Sequence, residues 1–234
     1  MRLDKYLCEM NMGSRSEVRE LIRRGLVTVN GLPAKTADSR VDEDADTVCI
    51  KGQKLIFRRY FYYMLNKPKG LICATRDKIS ATVMELLSPK DRRPDLFPAG
   101  RLDKDTEGFL LLTNDGELAH RLLSPRKHVD KTYLVTMEHG LSGEEIQRLE
   151  QGVDIGEERL TLPARVLPAE AGNQILLTIQ EGKFHQVKRM LKAVDNEVTA
   201  LKRVSFGPLA LDEALQPGEY RELTQEEVTI LYGT

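Results

Sequence analysis

A run of four apolar residues, Phe109–Leu112, constrains the fold of this chain more than any other stretch. Three carboxylates, Asp103, Asp105 and Glu107, precede it, and turn-forming residues follow at 114–116. Because the run is too short for a helix and is bounded by turn residues, it predicts a buried strand. Counted as charges alone, the carboxylates indicate a solvated loop. A loop anchored by a buried strand can instead hold a carboxylate in a cleft, where a cation keeps it ionised.

Helix-like and strand-like segments alternate irregularly around this run. A core-facing helix is predicted over residues 185–194, because four apolar residues recur there at helical spacing: Val187, Met190, Leu191 and Val194. Capping-box pairs predict three further helix starts, at Ser14/Glu17, Ser142/Glu145 and Thr224/Glu227. Strands are predicted within residues 60–65, 131–137, 173–180 and 198–211. Because regular βαβ units are absent, we predict an α+β fold with a mainly antiparallel mixed sheet flanked by helices.

The first part of the chain, residues 1–58, is predicted to be a small module separate from a larger domain at residues 59–234. Its helix should begin near Ser14 and end at Gly25, and a strand should then enter the turn at Asn30. Beside the apolar face of that helix lies a basic stripe, which is either a solvated surface or part of a positive binding face: Arg15, Arg19 and Arg23.

Composition bounds the class of protein. The chain has 234 residues, of which 41% are hydrophobic, so it can bury a substantial core. A net charge of −1 argues by itself against a nucleic-acid partner. Basic residues are nevertheless concentrated in the first 24 residues, in 120–131 and in 182–192, and segregated charge can produce a positive face.

The sequence carries no sign of export or of a membrane anchor. Its opening residues are charged throughout, unlike a secretory signal, and no apolar run approaches the roughly 18 residues of a spanning helix. We therefore expect a soluble cytoplasmic protein with no membrane partner. Its three cysteines fit neither a disulfide framework nor a zinc site, since they are odd in number and far apart: Cys8, Cys49 and Cys73.

Common cofactor and nucleophile motifs are missing. The chain has no phosphate-binding GxxxxGK[ST], no GxGxxG after a strand and no GxSxG elbow. Its four histidines lack metal-ligand spacing with cysteines or carboxylates. We therefore expect no metal and no cofactor, so that any reaction must run on side chains and substrate alone. Tyr133, within a predicted strand, is either a core residue or a platform that stacks on an extruded base.

Several stretches together resemble a known family. GRLDKDTEGFLLLTNDG, at residues 100–116, resembles the central motif of RNA pseudouridine synthases of the RsuA type, which act on ribosomal RNA. Further motifs of that family are matched in order by YYMLNKPKG, KTYLVT, EGKFHQVKRML, ALKRVSFGPLAL and PGEYRELT. The opening RLDKYL and SRSEVRELIRRGLVTVNG resemble an S4 RNA-binding module. The resemblance covers nearly the whole chain.

The resemblance implies roles for individual residues. Asp103 matches the catalytic aspartate, and Tyr133 matches the residue that stacks on the target base and can move its C5 proton. Lys188 matches the basic residue that pairs with the aspartate. Arg101 would position the RNA backbone or the loop, and Leu201 would pack against the tyrosine.

The resemblance also implies that the basic segments hold RNA phosphates. In the larger domain these contacts are expected from Arg126, Lys127, Lys131, His185 and Arg189, and in the S4-like module from the arginine stripe. The chain departs from the family at Phe109, where leucine is common, and at Phe184, where a polar or basic residue is common. Lys188 stands where many relatives have arginine, which replaces a fork by a point charge.

The activity implied by the resemblance is the cofactor-free isomerisation of a uridine in ribosomal RNA to pseudouridine. The expected substrate is small-subunit 16S rRNA, free or within a pre-ribosomal particle. Two alternatives stay open: large-subunit 23S rRNA as the substrate, or a non-catalytic RNA-binding factor in ribosome assembly. The protein is expected to act as a monomer.

Overall fold

The computed structural model describes residues 1–233 and divides into two compact units, Met1–Tyr60 and a second that begins at Phe61. The predicted boundary between residues 58 and 59 lies two positions before this division. Each unit has its own hydrophobic core.

The first unit packs two helices with a small antiparallel sheet. Its elements are α1 (Leu3–Glu9), α2 (Arg15–Arg23), β1 (Val27–Val29), β2 (Leu32–Pro33), β3 (Val48–Ile50) and β4 (Gln53–Leu55), with strand order β2-β1-β3-β4. Ser14 caps α2 and Glu17 completes the capping box, as predicted. Val18 and Ile22 face the core from α2, which leaves the predicted basic stripe on the exposed side of the helix. Helix α1 was not predicted from the sequence.

The second unit contains the remaining strands and helices. Its strands are β5 (Tyr62–Lys67), β6 (Phe97–Ala99), β7 (Glu107–Thr113), β8 (Lys131–Met137), β9 (Arg165–Pro168), β10 (Gln174–Ile179), β11 (Val198–Phe206), β12 (Leu209–Ala210) and β13 (Tyr220–Glu222). Its α-helices are α3 (Gly116–Leu123), α4 (Gly143–Gln151), α5 (Gln186–Lys192) and α6 (Gln225–Tyr232), and two 3₁₀-helices span Val83–Leu86 and Pro125–Lys127. Capping boxes begin α4 and α6 at the predicted serine and threonine.

These strands form one mixed sheet. Its main path runs β13-β5-β7-β11-β8-β10-β9, with β6 on β7 and β12 on β11. The pair β7 and β11 is parallel, and the other pairs are antiparallel. The predicted α+β fold with a mainly antiparallel mixed sheet is confirmed.

Strand β7 explains the apolar run that begins at Phe109. Leu110 and Leu112 belong to one hydrophobic cluster, whereas Phe109 and Leu111 belong to another. Because successive side chains of a strand point to opposite faces, β7 is covered by apolar side chains on both sides. An uninterrupted apolar run is the pattern that such a central strand requires.

One predicted helix differs in detail. Helix α5 is shorter than the predicted 185–194, because His185 adopts a left-handed conformation with φ of 48° and thereby begins the helix only at Gln186. Among residues 1–233 no helix has both the length and the apolar character needed to cross a membrane.

Candidate active site

A buried lysine holds the loop that carries Asp103. Lys67, the last residue of β5, is fully buried, and its Nζ donates to the backbone carbonyls of Pro68, Asp103, Lys104 and Thr106 at 3.1, 3.0, 3.4 and 2.8 Å. Burial lowers the pKa of Lys67, and the nearby negative groups act in the opposite direction. The cation therefore fixes the backbone on which the carboxylate is presented.

Gly108 lets β7 approach β11 immediately after that loop. A Cβ at this position would lie 2.2 Å from the carbonyl oxygen of Arg203, and the φ of Gly108 is +102°. Gly108 pairs with Arg203 in the parallel register of the two strands. Only a residue without a side chain permits this approach.

A cleft opens beside the loop. The loop contributes Arg101 and Asp103, β8 contributes Tyr133, and β11 contributes Leu201. The turn before α5 and the start of α5 contribute Lys183, His185, Gln186, Val187 and Lys188. Six of the residues singled out from the sequence thus line one cleft: Arg101, Asp103, Tyr133, His185, Lys188 and Leu201.

Lys188 lies between two carboxylates. Its Nζ is 3.2 Å from Asp103 Oδ2 and 2.6 Å from Asp105 Oδ1, while His185 Nε2 is 3.6 Å from the other oxygen of Asp103. The side chains of Asp103 and Lys188 are each 26% exposed, whereas that of Asp105 is 68% exposed. Asp103 is therefore half-buried and oriented from two sides, and Asp105 faces solvent.

The electrostatics of this group follow from its geometry. Partial burial lowers the pKa of Lys188, but hydrogen bonds to Asp105 and Asp103 outweigh it, so that the net pKa is raised. The hydrogen bond from Lys188 lowers the pKa of Asp105. The ammonium is thus held in its charged form beside the cleft carboxylate at neutral pH.

Helix α5 begins with an arrangement that fixes Lys188. The backbone N–H of Lys183 donates to Gln186 Oε1 at 2.9 Å, and Gln186 Nε2 donates to Glu181 Oε1 at 2.7 Å. Gln186 is buried, and the left-handed His185 precedes it. A non-glycine residue with a left-handed backbone conformation is uncommon. Such residues are typical of sites where a side chain is held in a required direction.

Two predicted phosphate contacts are placed elsewhere. Arg189 Nη1 donates to Glu157 Oε1 at 2.8 Å and to the Phe184 carbonyl at 3.0 Å, and Arg189 does not line the cleft. Lys131 is buried, and its Nζ donates to the Val129 carbonyl at 2.8 Å. Burial lowers the pKa of Lys131 to about 8. An ammonium enclosed in this way cannot reach a phosphate, which corrects the prediction that Lys131 contacts the RNA backbone. Arg189 instead makes its contacts within the protein.

The remaining predicted residues lie on exposed surfaces. Arg126 and Lys127 form part of the 3₁₀-helix after α3 and are exposed. In the first unit, the three arginines of the basic stripe on α2 are also exposed; Arg19 contacts Asp4 at 3.4 Å, and Arg23 contacts Glu20. Their proposed RNA contacts stay predictions.

Sequence reasoning missed Lys67, although one signal for it was present. Lys67 lies two positions after the apolar strand segment Tyr62–Leu65, where the strand can still be buried, and a buried lysine requires several acceptors. Those acceptors are backbone carbonyls from another part of the chain, which no side-chain motif reveals.

The cleft suits polar covalent or electrostatic chemistry on a flat ligand. A half-buried carboxylate can attack an electron-poor carbon, take a proton or stabilise a developing positive charge. Tyr133 offers an aromatic surface that is 8% exposed, and Leu201 lines the same cleft. Among residues 1–233, no three or more histidine, cysteine or acidic side chains converge in a metal-binding arrangement.

Comparison with known proteins gives consistent matches over the whole chain. Residues 61–193 match the RNA pseudouridylate synthase family, and residues 1–46 match the S4 domain. An RNA pseudouridine synthase of Bacillus subtilis (strain 168) is 53% identical over 99% of this chain and 98% of the relative. The ribosomal small subunit pseudouridine synthases A of Vibrio vulnificus (strain CMCP6) and Escherichia coli (strain K12) are each 42% identical over 97% of this chain and 98% of the relative.

A solved structure agrees with these matches. The crystal structure of a pseudouridylate synthase superposes with a TM-score of 0.70 at 37% sequence identity, and the match covers 99% of each chain. The cleft described above lies almost entirely within the matched synthase region, since Leu201 alone among its lining residues falls beyond residue 193. With an S4 domain before a synthase domain, this chain belongs to the RNA pseudouridylate synthase family and is an RNA pseudouridine synthase.

Proposed function

We propose that this protein converts a specific uridine of small-subunit 16S ribosomal RNA to pseudouridine, with Asp103 as the reacting group. The observation that carries the proposal is the meeting of Asp103, Tyr133 and Lys188 in one cleft, with Lys188 Nζ 3.2 Å from Asp103 Oδ2. The choice of RNA rests on two relatives at 42% identity that are named ribosomal small subunit pseudouridine synthase A.

The reaction breaks the bond between ribose C1′ and uracil N1, turns the base and joins C1′ to C5. The C5 proton is then lost and N1 gains a proton, so that no group leaves and no electron is transferred. This balance requires no cofactor. Asp103 acts either by attacking C1′ or by taking a proton from the sugar, and in both cases its carboxylate must stand against the ribose.

The target uridine must leave its stack before it can enter the cleft. Flipping a base costs a few kcal/mol, and stacking on an aromatic side chain offsets roughly 1–3 kcal/mol of this cost. We assign the stacking to Tyr133, with Leu201 lining the same cleft. We also assign to Tyr133 the movement of the C5 proton once the base has turned.

Basic residues around the cleft would hold the RNA backbone. Arg101 is exposed at the rim and His185 lies beside Asp103, so both can reach phosphates next to the flipped nucleotide. Arg126 and Lys127 extend the exposed basic surface of the same unit. We assign contacts to structured RNA to the arginine stripe of α2: Arg15, Arg19 and Arg23.

We also propose that residues 1–58 form an RNA-binding domain that is separable from a catalytic domain at 59–234. The division of the chain at Tyr60 and Phe61 and the separate cores favour this organisation. Deleting residues 1–58 should weaken RNA binding while the remaining domain still unfolds in one cooperative thermal transition. A truncated protein that melts without cooperativity would argue against the division.

Mapping pseudouridines in ribosomal RNA from cells with and without this protein tests the proposed target. One small-subunit position should lose its pseudouridine in the deletion strain and regain it when the wild-type protein is restored. Loss at a large-subunit position would select 23S rRNA instead. Unchanged maps for both subunits would contradict ribosomal RNA as the substrate. The proposal includes a monomeric cytoplasmic protein that acts on free RNA or on a pre-ribosomal particle.

A further inference from the structure

Phe184 is the most exposed aromatic residue that the structure describes within residues 1–233. Its side chain is 74% exposed, although it lies in an ordered turn between β10 and α5. A single exposed apolar residue is common in proteins and needs no special role. The position and the packing of this ring are what distinguish it.

The Phe184 ring stacks on His185. The two ring centroids are 3.8 Å apart, and the ring planes are inclined by 19°. His185 lines the cleft, and its Nε2 is 3.6 Å from Asp103 Oδ1. Phe184 does not line the cleft itself. The stacked pair therefore extends from the cleft carboxylate to the outer surface beside the cleft.

Hydrogen bonds hold this pair in place. Arg189 Nη1 donates to the Phe184 carbonyl at 3.0 Å and is paired with Glu157 at 2.8 Å. On the preceding residue, Lys183 Nζ reaches the carbonyls of Arg159 and Leu160, each at 3.4 Å. A ring presented on a fixed backbone loses little conformational freedom when it binds a ligand.

An aromatic surface at this position matches a need created by base flipping. When a uridine leaves its stack, the bases on either side each lose a stacking partner. A flat apolar ring just outside the cleft can replace that partner, and such stacking tolerates any base because every base has a π-face. The ring is too far out to take the flipped base, for which Tyr133 lies inside the cleft.

We propose that Phe184, backed by His185, is a second stacking platform, which binds the base of a nucleotide adjacent to the flipped uridine. The inference rests on the proposed function only in requiring that this cleft accepts a flipped uridine of RNA. Phe184 thereby has a role in binding RNA, although it takes no part in the reaction. Arg189 has the role of positioning Phe184.

Affinity measurements with the full-length protein test the platform. The RNA is a transcript around the mapped uridine, either intact or with a single abasic nucleotide on one side of that uridine. Phe184→Ala and Phe184→Leu should each bind the intact RNA about 5- to 150-fold more weakly, whereas Phe184→Tyr should bind as wild type does. Leu167→Ala removes an exposed apolar side chain elsewhere in the same unit and should bind as wild type does.

The abasic RNA distinguishes stacking from a general apolar contact. Removing the correct flanking base should weaken wild-type binding by a similar factor and leave the affinity of Phe184→Ala unchanged, because the two changes remove one shared contact. The chain contains no tryptophan, so Phe184→Trp introduces a single tryptophan, whose selectively excited emission should be quenched by intact RNA and not by the abasic RNA.

Wild-type affinity of Phe184→Leu for the intact RNA would overturn the proposal. So would abasic nucleotides on both sides of the uridine that each weaken binding of Phe184→Ala as much as binding of the wild type. Failure of the proposed target is a separate result. If the wild type modifies large-subunit rather than small-subunit RNA, the target is wrong, and the same variants on the large-subunit transcript then decide whether the platform exists.

Discussion

Replacing Lys67 by methionine is expected to loosen the loop that carries Asp103. Methionine keeps most of the length of the side chain and removes the ammonium that binds four backbone carbonyls at 2.8–3.4 Å. Three of those carbonyls belong to Asp103, Lys104 and Thr106, so that the variant leaves the loop without its internal cation.

The magnitude follows from the contacts. An ammonium has three protons, and hydrogen bonds that involve a charged group contribute about 1.5–3 kcal/mol each. Removing the buried charge also removes its desolvation penalty of several kcal/mol. We expect a net loss of about 3 kcal/mol of unfolding free energy. For a unit of this size the Tm should fall by about 6–12 °C.

The activity should fall more than the stability suggests. A displacement of about 1 Å at a reacting group costs on the order of 100-fold in rate, so kcat should decrease by about that factor. Because Lys67 is fully buried, the KM for RNA should change little. Quenched single-turnover assays measure the fall in rate, and thermal unfolding measures the fall in Tm.

Lys69→Met is the matched control for this experiment. Lys69 lies two residues away, its side chain is 50% exposed, and it contacts Glu107 at 3.8 Å. Its loss should leave Tm and kcat near their wild-type values, since exposed ion pairs contribute little. A Lys67→Met protein with wild-type Tm and kcat would refute the role assigned to the buried cation.

Two further substitutions test the framework around the site. Gly108→Ala places a methyl group 2.2 Å from the Arg203 carbonyl oxygen at a φ of +102°. The substitution should lower the unfolding free energy, measured by urea titration, by about 3 kcal/mol or more. An unchanged unfolding free energy would contradict the close approach of β7 to β11. Lys131, with its pKa lowered to about 8, binds fewer protons folded than unfolded between pH 8 and 10.5. Wild-type stability relative to Lys131→Met should therefore rise by about 3 kcal/mol over that window, and a flat difference would count against the burial of the charge.

Local features of the fold were predictable because their causes lie within a few residues. Ser142 and Glu145 satisfy each other's backbone groups at the start of α4, and this pairing can be read from a spacing of three. The buried strand β7 was likewise predictable, because a central strand must be apolar on both faces.

Contacts between distant segments could not be predicted in the same way. The acceptors of Lys67 are backbone carbonyls up to 39 positions along the chain, and no pattern of side chains encodes them. The resemblance assigned Lys131 and Arg189 to phosphates, but a basic segment does not reveal that Lys131 turns inward or that Arg189 pairs with Glu157. Resemblance to a family supplied the identities of Asp103, Tyr133 and Lys188, whereas spacing alone left a solvated loop and a core tyrosine as open alternatives.

The most direct test of the central claim compares two neighbouring carboxylates that bind the same lysine. Asp103 lines the cleft, whereas Asp105 is 68% exposed and contacts Lys188 Nζ at 2.6 Å without lining the cleft. Single-turnover pseudouridine formation on the mapped RNA should be abolished in Asp103→Asn, with RNA affinity retained, and should persist in Asp105→Asn. Near-normal turnover by Asp103→Asn would contradict the assignment of Asp103 as the reacting group.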